Sequence, residues 1–214
     1  MTGASATTAA AALAWAGRLH ADGPRAILGI TGAPGAGKST FAEWLVGHFE
    51  HAIAVPMDGF HLADAELSRR GSLDRKGAPD TFDSWGYAAL LTRLRAATEQ
   101  EVLAPAFDRT LEQPVAGSIC VEPHHRLIVT EGNYLLLDGA DWPTARAQLD
   151  AVWHVRVPDP VRRERLVARH TEFGKGLAAA QAWVERVDEP NAKLIEAAAG
   201  RADRVVDLTD WQPT

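Results

Sequence analysis

Cysteine is almost absent from this chain of 214 residues: Cys120 stands alone. One thiol cannot build an internal disulfide framework or a Cys-rich metal centre, and such usage suits a reducing compartment, so a cytoplasmic location is expected. Cys120 itself reads as a small buried hydrophobe. Long apolar runs are missing too, and no window approaches the roughly 20 residues that cross a bilayer. Nor is there an excess of basic charge, since 22 Lys and Arg stand against 28 Asp and Glu for a formal charge of −6. That balance gives no general pull toward nucleic-acid backbone or anionic lipid, and neither is expected as a partner. Thr2 to Ala14 is rich in Ala and Thr, but no Lys or Arg precedes Arg18 and no Leu-rich stretch follows, so the segment reads as an amphipathic helix rather than a secretory leader.

What is present suffices for a core. Apolar residues at 46% and charged residues at 23% are close to the globular average. The length suits one sizeable core, hence a single domain over 1–214. A helix is expected over 1–22, with Leu13, Ala16 and Leu19 near one face and a stop at Asp22-Gly23-Pro24. Ala26 to Thr31 is a short apolar run suited to a buried parallel strand, followed by a helix from Lys38 to Phe49 and a second run from Ala52 to Met57. Further strands are expected at Leu127 to Thr130, Ala151 to Val157 and Arg204 to Leu208. Helical spacing marks Trp85 to Ala97, Val161 to His170 and Leu177 to Val187, while Gly71 to Pro79 reads as a loop near the site. Strands alternating with helices imply an α/β fold with a mostly parallel sheet and right-handed crossovers.

Between the first strand and its helix lies Gly32-Ala33-Pro34-Gly35-Ala36-Gly37-Lys38-Ser39, which satisfies the G-x-x-x-x-G-K-[ST] pattern in the context its mechanism needs. Glycines let successive N–H groups converge on phosphate oxygens, and the helix N-terminus adds its positive end. Pro34 contributes no donor. Lys38 is placed to bridge the β- and γ-phosphates, the Ser39 hydroxyl to coordinate Mg²⁺, and Thr40 to contact the α-phosphate. The expected ligand is a nucleoside triphosphate, and the fold is that of a P-loop NTPase, a three-layer sandwich with a small helical lid.

Asp58 directly follows the second apolar run, so it falls at the carboxyl edge of a parallel sheet, where open α/β folds bind ligands. A carboxylate there can deprotonate an acceptor hydroxyl; capping a helix and holding a metal are its other readings. His61 either touches the acceptor or packs. Glu131 repeats the arrangement after Leu127-Ile128-Val129-Thr130 and suits an acid that holds Mg²⁺ or its waters.

These segments resemble the family of P-loop kinases that includes uridine kinase, phosphoribulokinase and bacterial pantothenate kinase. Beyond the cradle, the likeness rests on Met57-Asp58-Gly59-Phe60-His61, Arg75-Lys76-Gly77-Ala78-Pro79-Asp80-Thr81-Phe82-Asp83, Pro105-Ala106-Phe107-Asp108-Arg109 and Glu131-Gly132-Asn133-Tyr134, in that order along most of the chain. Within the group the chain is most similar to bacterial nucleoside/nucleotide kinase-like proteins provisionally named as fructose transport system kinases. The resemblance implies an ATP-dependent small-molecule kinase that passes the γ-phosphoryl group to the hydroxyl of a sugar, a nucleoside or a pantothenate-like alcohol. It implies a base at Asp58, a magnesium-associated acid at Glu131, and acceptor contacts from His61, Lys76, Asp83, Asp108, Arg109 and Asn133. Asp83 is equally an N-cap candidate for the helix that follows, and Arg109 equally a surface ion-pair partner. A homodimer is the family-level expectation.

Arg162, Arg165 and Arg169 stand at i, i+3 and i+7, so one helical face would present three guanidinium groups, followed by Lys175 between two glycines. Such a face can clamp polyphosphate and neutralise charge in transfer, with Arg165 and Arg169 as the catalytic candidates; a solvated face is the plainer alternative. In the family this stretch, 158–176, resembles a mobile lid. Phe173-Gly174-Lys175 stands where uridine kinases commonly carry Arg-Gly-Arg, which argues against uridine as acceptor. Trp153 and Trp183 read as core. His124-His125 point apart and lack a third ligand, so no zinc is expected. Asp188-Glu189-Pro190-Asn191 opens a further helix, where Asn191 either caps or reaches nucleotide or lid. The competing function class is an NTP-binding switch with slow hydrolysis, but an Asn-Lys-x-Asp guanine element is lacking.

Overall fold

The computed structural model describes residues 7–21, 25–96 and 99–213. Helix α1 (Ala9–Ala21) leads to strand β1 (Ala26–Thr31), α2 (Lys38–Val46), β2 (Ala52–Ala54), α3 (Asp64–Arg70) and α4 (Ser84–Ala96). A hairpin of β3 (Val102–Asp108) and β4 (Gln113–Val121) precedes β5 (Leu127–Glu131), α5 (Trp142–Arg146) and β6 (Ala151–Arg156). Then come α6 (Asp159–Glu172), α7 (Leu177–Trp183), α8 (Glu189–Ala198) and the last strand, β7 (Arg204–Asp207). The Asp22-Gly23-Pro24 stop lies outside the described residues.

Five strands form one parallel sheet in the order β2-β5-β1-β6-β7. Period-two alternation sends their side chains to opposite faces, both covered. Ile27, Ile128 and Val152 face Tyr87 and Leu91 of α4, Trp142 of α5 and Ile195 of α8. Leu28, Ile30, Val129, Trp153 and Val155 face Ala12 and Ala16 of α1 and Phe41 and Leu45 of α2. The result is the expected three-layer α/β sandwich. From β1 the chain crosses β5 to reach β2, and from β5 it crosses β1 to reach β6. The two crossovers diverge, so a crevice opens where β1 and β5 end side by side, with Ile30 in register with Glu131.

Several boundaries differ from the sequence reading for local reasons. The second strand stops at Ala54, short of Met57, because Pro56 lacks an N–H and Met57–Phe60 winds into a 3-10 turn. α2 ends at Val46, with Gly47 closing it. α7 gives way at Trp183 to a π-helical turn over Val184–Asp188, which runs into α8. The antiparallel hairpin has no counterpart in the sequence reading: only Val121 of β4 is buried, so its apolar alternation is weak, and Pro105 interrupts the register of β3. The loop over 71–79 carries short 3-10 turns at Leu73–Arg75 and from Pro79.

The hairpin is seated by close backbone approach. A Cβ on Gly59 would lie 2.3 Å from the Pro105 carbonyl oxygen. Backbone cannot yield as a side chain tip can, so Gly59→Ala is expected to destabilise the protein by about 1–3 kcal/mol in urea unfolding. An unchanged midpoint would contradict this contact between the Asp58 turn and the hairpin.

Candidate active site

Three glycines shape the turn after β1. A Cβ on Gly32 would stand 2.4 Å from the Val155 carbonyl oxygen, and one on Gly35 would stand 2.5 Å from that of Arg162. Gly35 and Gly37 adopt left-handed backbone, with φ of 80° and 91°, which side chains rarely tolerate. The turn thus nests against β6 and α6, and α2 begins at Lys38 with its unpaired N–H groups at this end. Lys38 is buried, and its Nζ donates to the Ala33 carbonyl at 3.3 Å. Burial lowers its pKa, while Glu131 and Asp58 pull it back up. An enclosed ammonium with one long hydrogen bond among the described residues is short of partners, and the cradle around it fits an anion such as a phosphate chain.

Glu131 closes β5 opposite this lysine. Its Oε1 accepts from the Ser39 hydroxyl at 2.9 Å, and the carboxyl is buried. Burial first, and then the Asp58 charge, push its pKa up to about 7 against the pull of Lys38 and the Ser39 bond. The strand end is fixed from behind, since Thr130 Oγ1 donates to the Val55 carbonyl at 2.6 Å and shares a 2.7 Å hydrogen bond with the Tyr87 hydroxyl. A hydroxyl and a carboxylate are hard oxygen donors of the kind Mg²⁺ takes. No group of three or more His, Cys, Asp or Glu suited to a metal exists among the described residues. Mg²⁺ in phosphoryl-transfer sites is ordinarily held by one or two carboxylates together with phosphate oxygens, so the pair fits that ion.

The 3-10 turn after β2 swings Asp58 into the same crevice, with Arg109 Nη2 at 3.8 Å from its Oδ2. All these groups open onto one cavity of about 410 Å³, lined among others by Lys38, Ser39, Asp58, Arg109, Glu131 and Arg169. Arg169 reaches it from α6, where burial and the like charge of Arg109 lower its pKa while Asp188, Asp58 and Glu131 raise it. Two guanidinium groups and an ammonium thus surround two carboxylates, a charge set that can hold an anion while leaving a base for an alcohol.

No family model matches this chain. A Schizosaccharomyces pombe protein provisionally named a uridine kinase is 34% identical over 174 residues, covering 77% of this chain and 74% of its own. A crystal structure from Silicibacter sp. TM1040, provisionally named a fructose transport system kinase, superposes with a TM-score of 0.84 at 38% identity over 93% of this chain and 98% of that one. The chain belongs to the uridine kinase, phosphoribulokinase and pantothenate kinase-like family of P-loop kinases. It is a phosphotransferase, an ATP-dependent small-molecule kinase. YFH7 of Saccharomyces cerevisiae, at 19% identity, shares the fold with a TM-score of 0.78 over 94% of this chain and 97% of that one.

In this P-loop kinase the expected site residues divide into two groups. Pro34, Gly35, Lys38, Ser39, Asp58, His61, Lys76, Arg109, Glu131, Asn133 and Arg169 line the cavity, while Gly32, Ala33, Ala36 and Gly37 form the turn behind and Thr40 is exposed beside Ser39. Asp83 stands apart: its Oδ1 accepts from Gly86 N at 2.8 Å, so it caps α4. Asp108 is likewise occupied, accepting from Thr110 N and Leu111 N at 2.8 and 2.9 Å to form the hairpin turn. Lys76 faces the cavity, but its Nζ donates at 2.6 Å to both Asp64 Oδ1 and the Glu112 carbonyl and lies over the Phe107 ring, so it clasps the hairpin.

The arginine face also splits. Arg162 turns inward, buried, and pairs with Asp159 at 2.8 Å and Glu189 at 2.7 Å. Arg165 stays exposed outside the cavity lining, its Nη1 beside Gly37. Trp183, expected in the core, is only partly buried and lines the cavity with the Lys175 ammonium over its ring. Trp153 is core, but Cys120 is half-exposed on β4 beside Glu101. Asn191 lines the cavity and donates to the Gly77 carbonyl, which the Tyr134 hydroxyl also bonds.

Phe82, Phe107 and the 2.8 Å His170–Asp188 pair were missed. The first two stand beside Asp83 and Asp108, acids whose chemistry gives the stronger signal in sequence. The pair depends on the π-helical turn, which periodicity does not reveal.

The raised Glu131 pKa has a consequence for stability. Folded protein holds this proton up to about pH 7, while the unfolded chain releases it near the ordinary carboxylate pKa of about 4.5. Stability of the ligand-free protein therefore falls as pH rises through that window. Glu131→Gln is expected to raise Tm at pH 8, with the gain vanishing below pH 4.5. A gain independent of pH would show that the carboxyl is not held neutral.

Proposed function

We propose that the protein transfers the γ-phosphoryl group of ATP to the hydroxyl of a small metabolite, a sugar, nucleoside or pantothenate-like alcohol, with Asp58 as general base. The observation that carries this reading is the convergence of Lys38, Glu131 and Asp58, from three different elements, on one cavity. Lys38 and the turn amides hold the β- and γ-phosphates. Ser39 and Glu131 would hold Mg²⁺, which supplies charge neutralisation on the phosphate oxygens. Asp58 takes the acceptor proton, the freed oxygen bonds to the γ-phosphorus, and the bond from that phosphorus to the bridging oxygen breaks to release ADP.

Arg169 and Arg109 supply positive charge where the phosphoryl group moves. The segment 158–176 acts as the lid, with Gly174, in left-handed backbone, as its hinge. A slow-hydrolysis switch would have no use for the half of the cavity lined by His61, Phe82, Phe107 and Arg109.

Steady-state ADP release and calorimetric ATP binding test the roles separately. Asp58→Asn should keep ATP affinity and lose roughly 10²-fold or more in turnover. Lys38→Ala should lose ATP binding itself. Full turnover in Asp58→Asn would remove Asp58 from the mechanism.

A further inference from the structure

We infer that Tyr87, on α4 and outside the cavity lining, is a positioning residue for phosphoryl transfer that sets how far apart Asp58 and Glu131 stand. The inference rests on the roles proposed above for those two carboxylates and adds a strut that touches neither nucleotide nor acceptor.

β2 and β5 deliver the two acids, and their pairing stops just short of them. The last pair in register is Ala54 with Val129, after which Val55 N donates to the Val129 carbonyl at 2.9 Å. Pro56 follows, without an N–H, and the 3-10 turn carries Asp58 off the line of the strand. Here a side chain takes over from the backbone: Thr130 Oγ1 donates to the Val55 carbonyl at 2.6 Å.

Proton count fixes the direction of the next bond. Thr130 has one hydroxyl proton, and the Val55 carbonyl, which only accepts, holds it. The phenol of Tyr87 must therefore donate the 2.7 Å bond that joins it to Thr130 Oγ1. Tyr87, Thr130 and Val55 form one chain of hydrogen bonds, and all three residues are fully buried. Such a chain strengthens its own members, and in a buried setting a lost link is not replaced by water.

Tyr87 holds the other acid as well. Its ring packs edge-on against Phe60, in the turn that carries Asp58, with centroids 5.4 Å apart. The backbone at the start of α4 grips the same residue, since Asp83 N donates to the Phe60 carbonyl at 2.8 Å and Tyr87 N to the Asp83 carbonyl at 3.0 Å. One side chain thus bears on Glu131 through the residue before it and on Asp58 through the residue two after it. The phosphate turn is built on β1 and α2 instead, so the strut governs transfer and leaves the grip on nucleotide alone.

Tyr87→Phe removes the hydroxyl and keeps the ring, while Thr130→Val and Thr130→Ser remove and retain the middle of the chain. Hydrogen exchange on the full chain, read by mass spectrometry, should quicken over 57–61 and 130–133 in Tyr87→Phe and Thr130→Val, and keep its native rate over 32–38 and throughout Thr130→Ser. Native exchange at both strand ends in both variants overturns the inference and leaves phosphoryl transfer standing. Kinetics use Mg-ATP with whichever of D-fructose, uridine and pantothenate the native protein phosphorylates. Tyr87→Phe and Thr130→Val should each lose about 10-fold in kcat at unchanged calorimetric ATP affinity, and Thr130→Ser should restore the rate. The double variant should lose no more than Thr130→Val, because the two hydroxyls act as one chain. Unchanged kcat in Tyr87→Phe, or a loss that only tracks the unfolded fraction, makes the residue a stabilising one and overturns the inference. Failure of the native protein on all three acceptors counts against the proposed function, and exchange then decides Tyr87 alone.

Discussion

A positive charge buried at the edge of a parallel sheet sets the terms for everything near it. The ammonium of Lys38 is withdrawn from water, finds one carbonyl at 3.3 Å, and faces two carboxylates across the crevice. Such a group is unfavourable unless something of opposite sign completes its surroundings. Glu131 is an imperfect answer, since burial holds it partly protonated near neutrality. A phosphate chain is a better one, because it brings charge that the glycine turn is shaped to receive.

The sheet order delivers the remaining parts. β1 and β5 lie side by side, so the phosphate turn and Glu131 meet by register alone. Pro56 ends β2 early and lets the next turn carry Asp58 inward. Arg109 comes from the hairpin, which lies outside the main sheet and is secured by the Gly59–Pro105 approach and by Lys76. Arg169 comes from α6. The acceptor side is therefore assembled from elements hung on the sheet's edge, and the nucleotide side from the sheet itself.

That division explains what could be read from the residues alone. The cradle follows β1 directly, Glu131 ends β5, and Asp58 follows an apolar run that continues past the end of β2, so spacing sufficed to bring all three to one edge of the sheet. Residues on the hung elements were legible as motifs but not by role. Asp83 and Asp108 turned out to hold a helix start and a hairpin turn, while Phe82 and Phe107 beside them face the cavity. Helical spacing put Arg162, Arg165 and Arg169 on one face, yet only contact with Asp159 and Glu189 decides that Arg162 turns inward. The π-helical turn that carries Asp188 to His170 breaks the periodicity on which such readings depend.

The most direct test of the account is a crystal structure of the protein with Mg²⁺ and a non-hydrolysable ATP analogue. The β- and γ-phosphates should lie in the turn formed by residues 32–39, with the Lys38 ammonium moved from the Ala33 carbonyl onto their oxygens. Nucleotide bound elsewhere, with Lys38 still on Ala33, would contradict it.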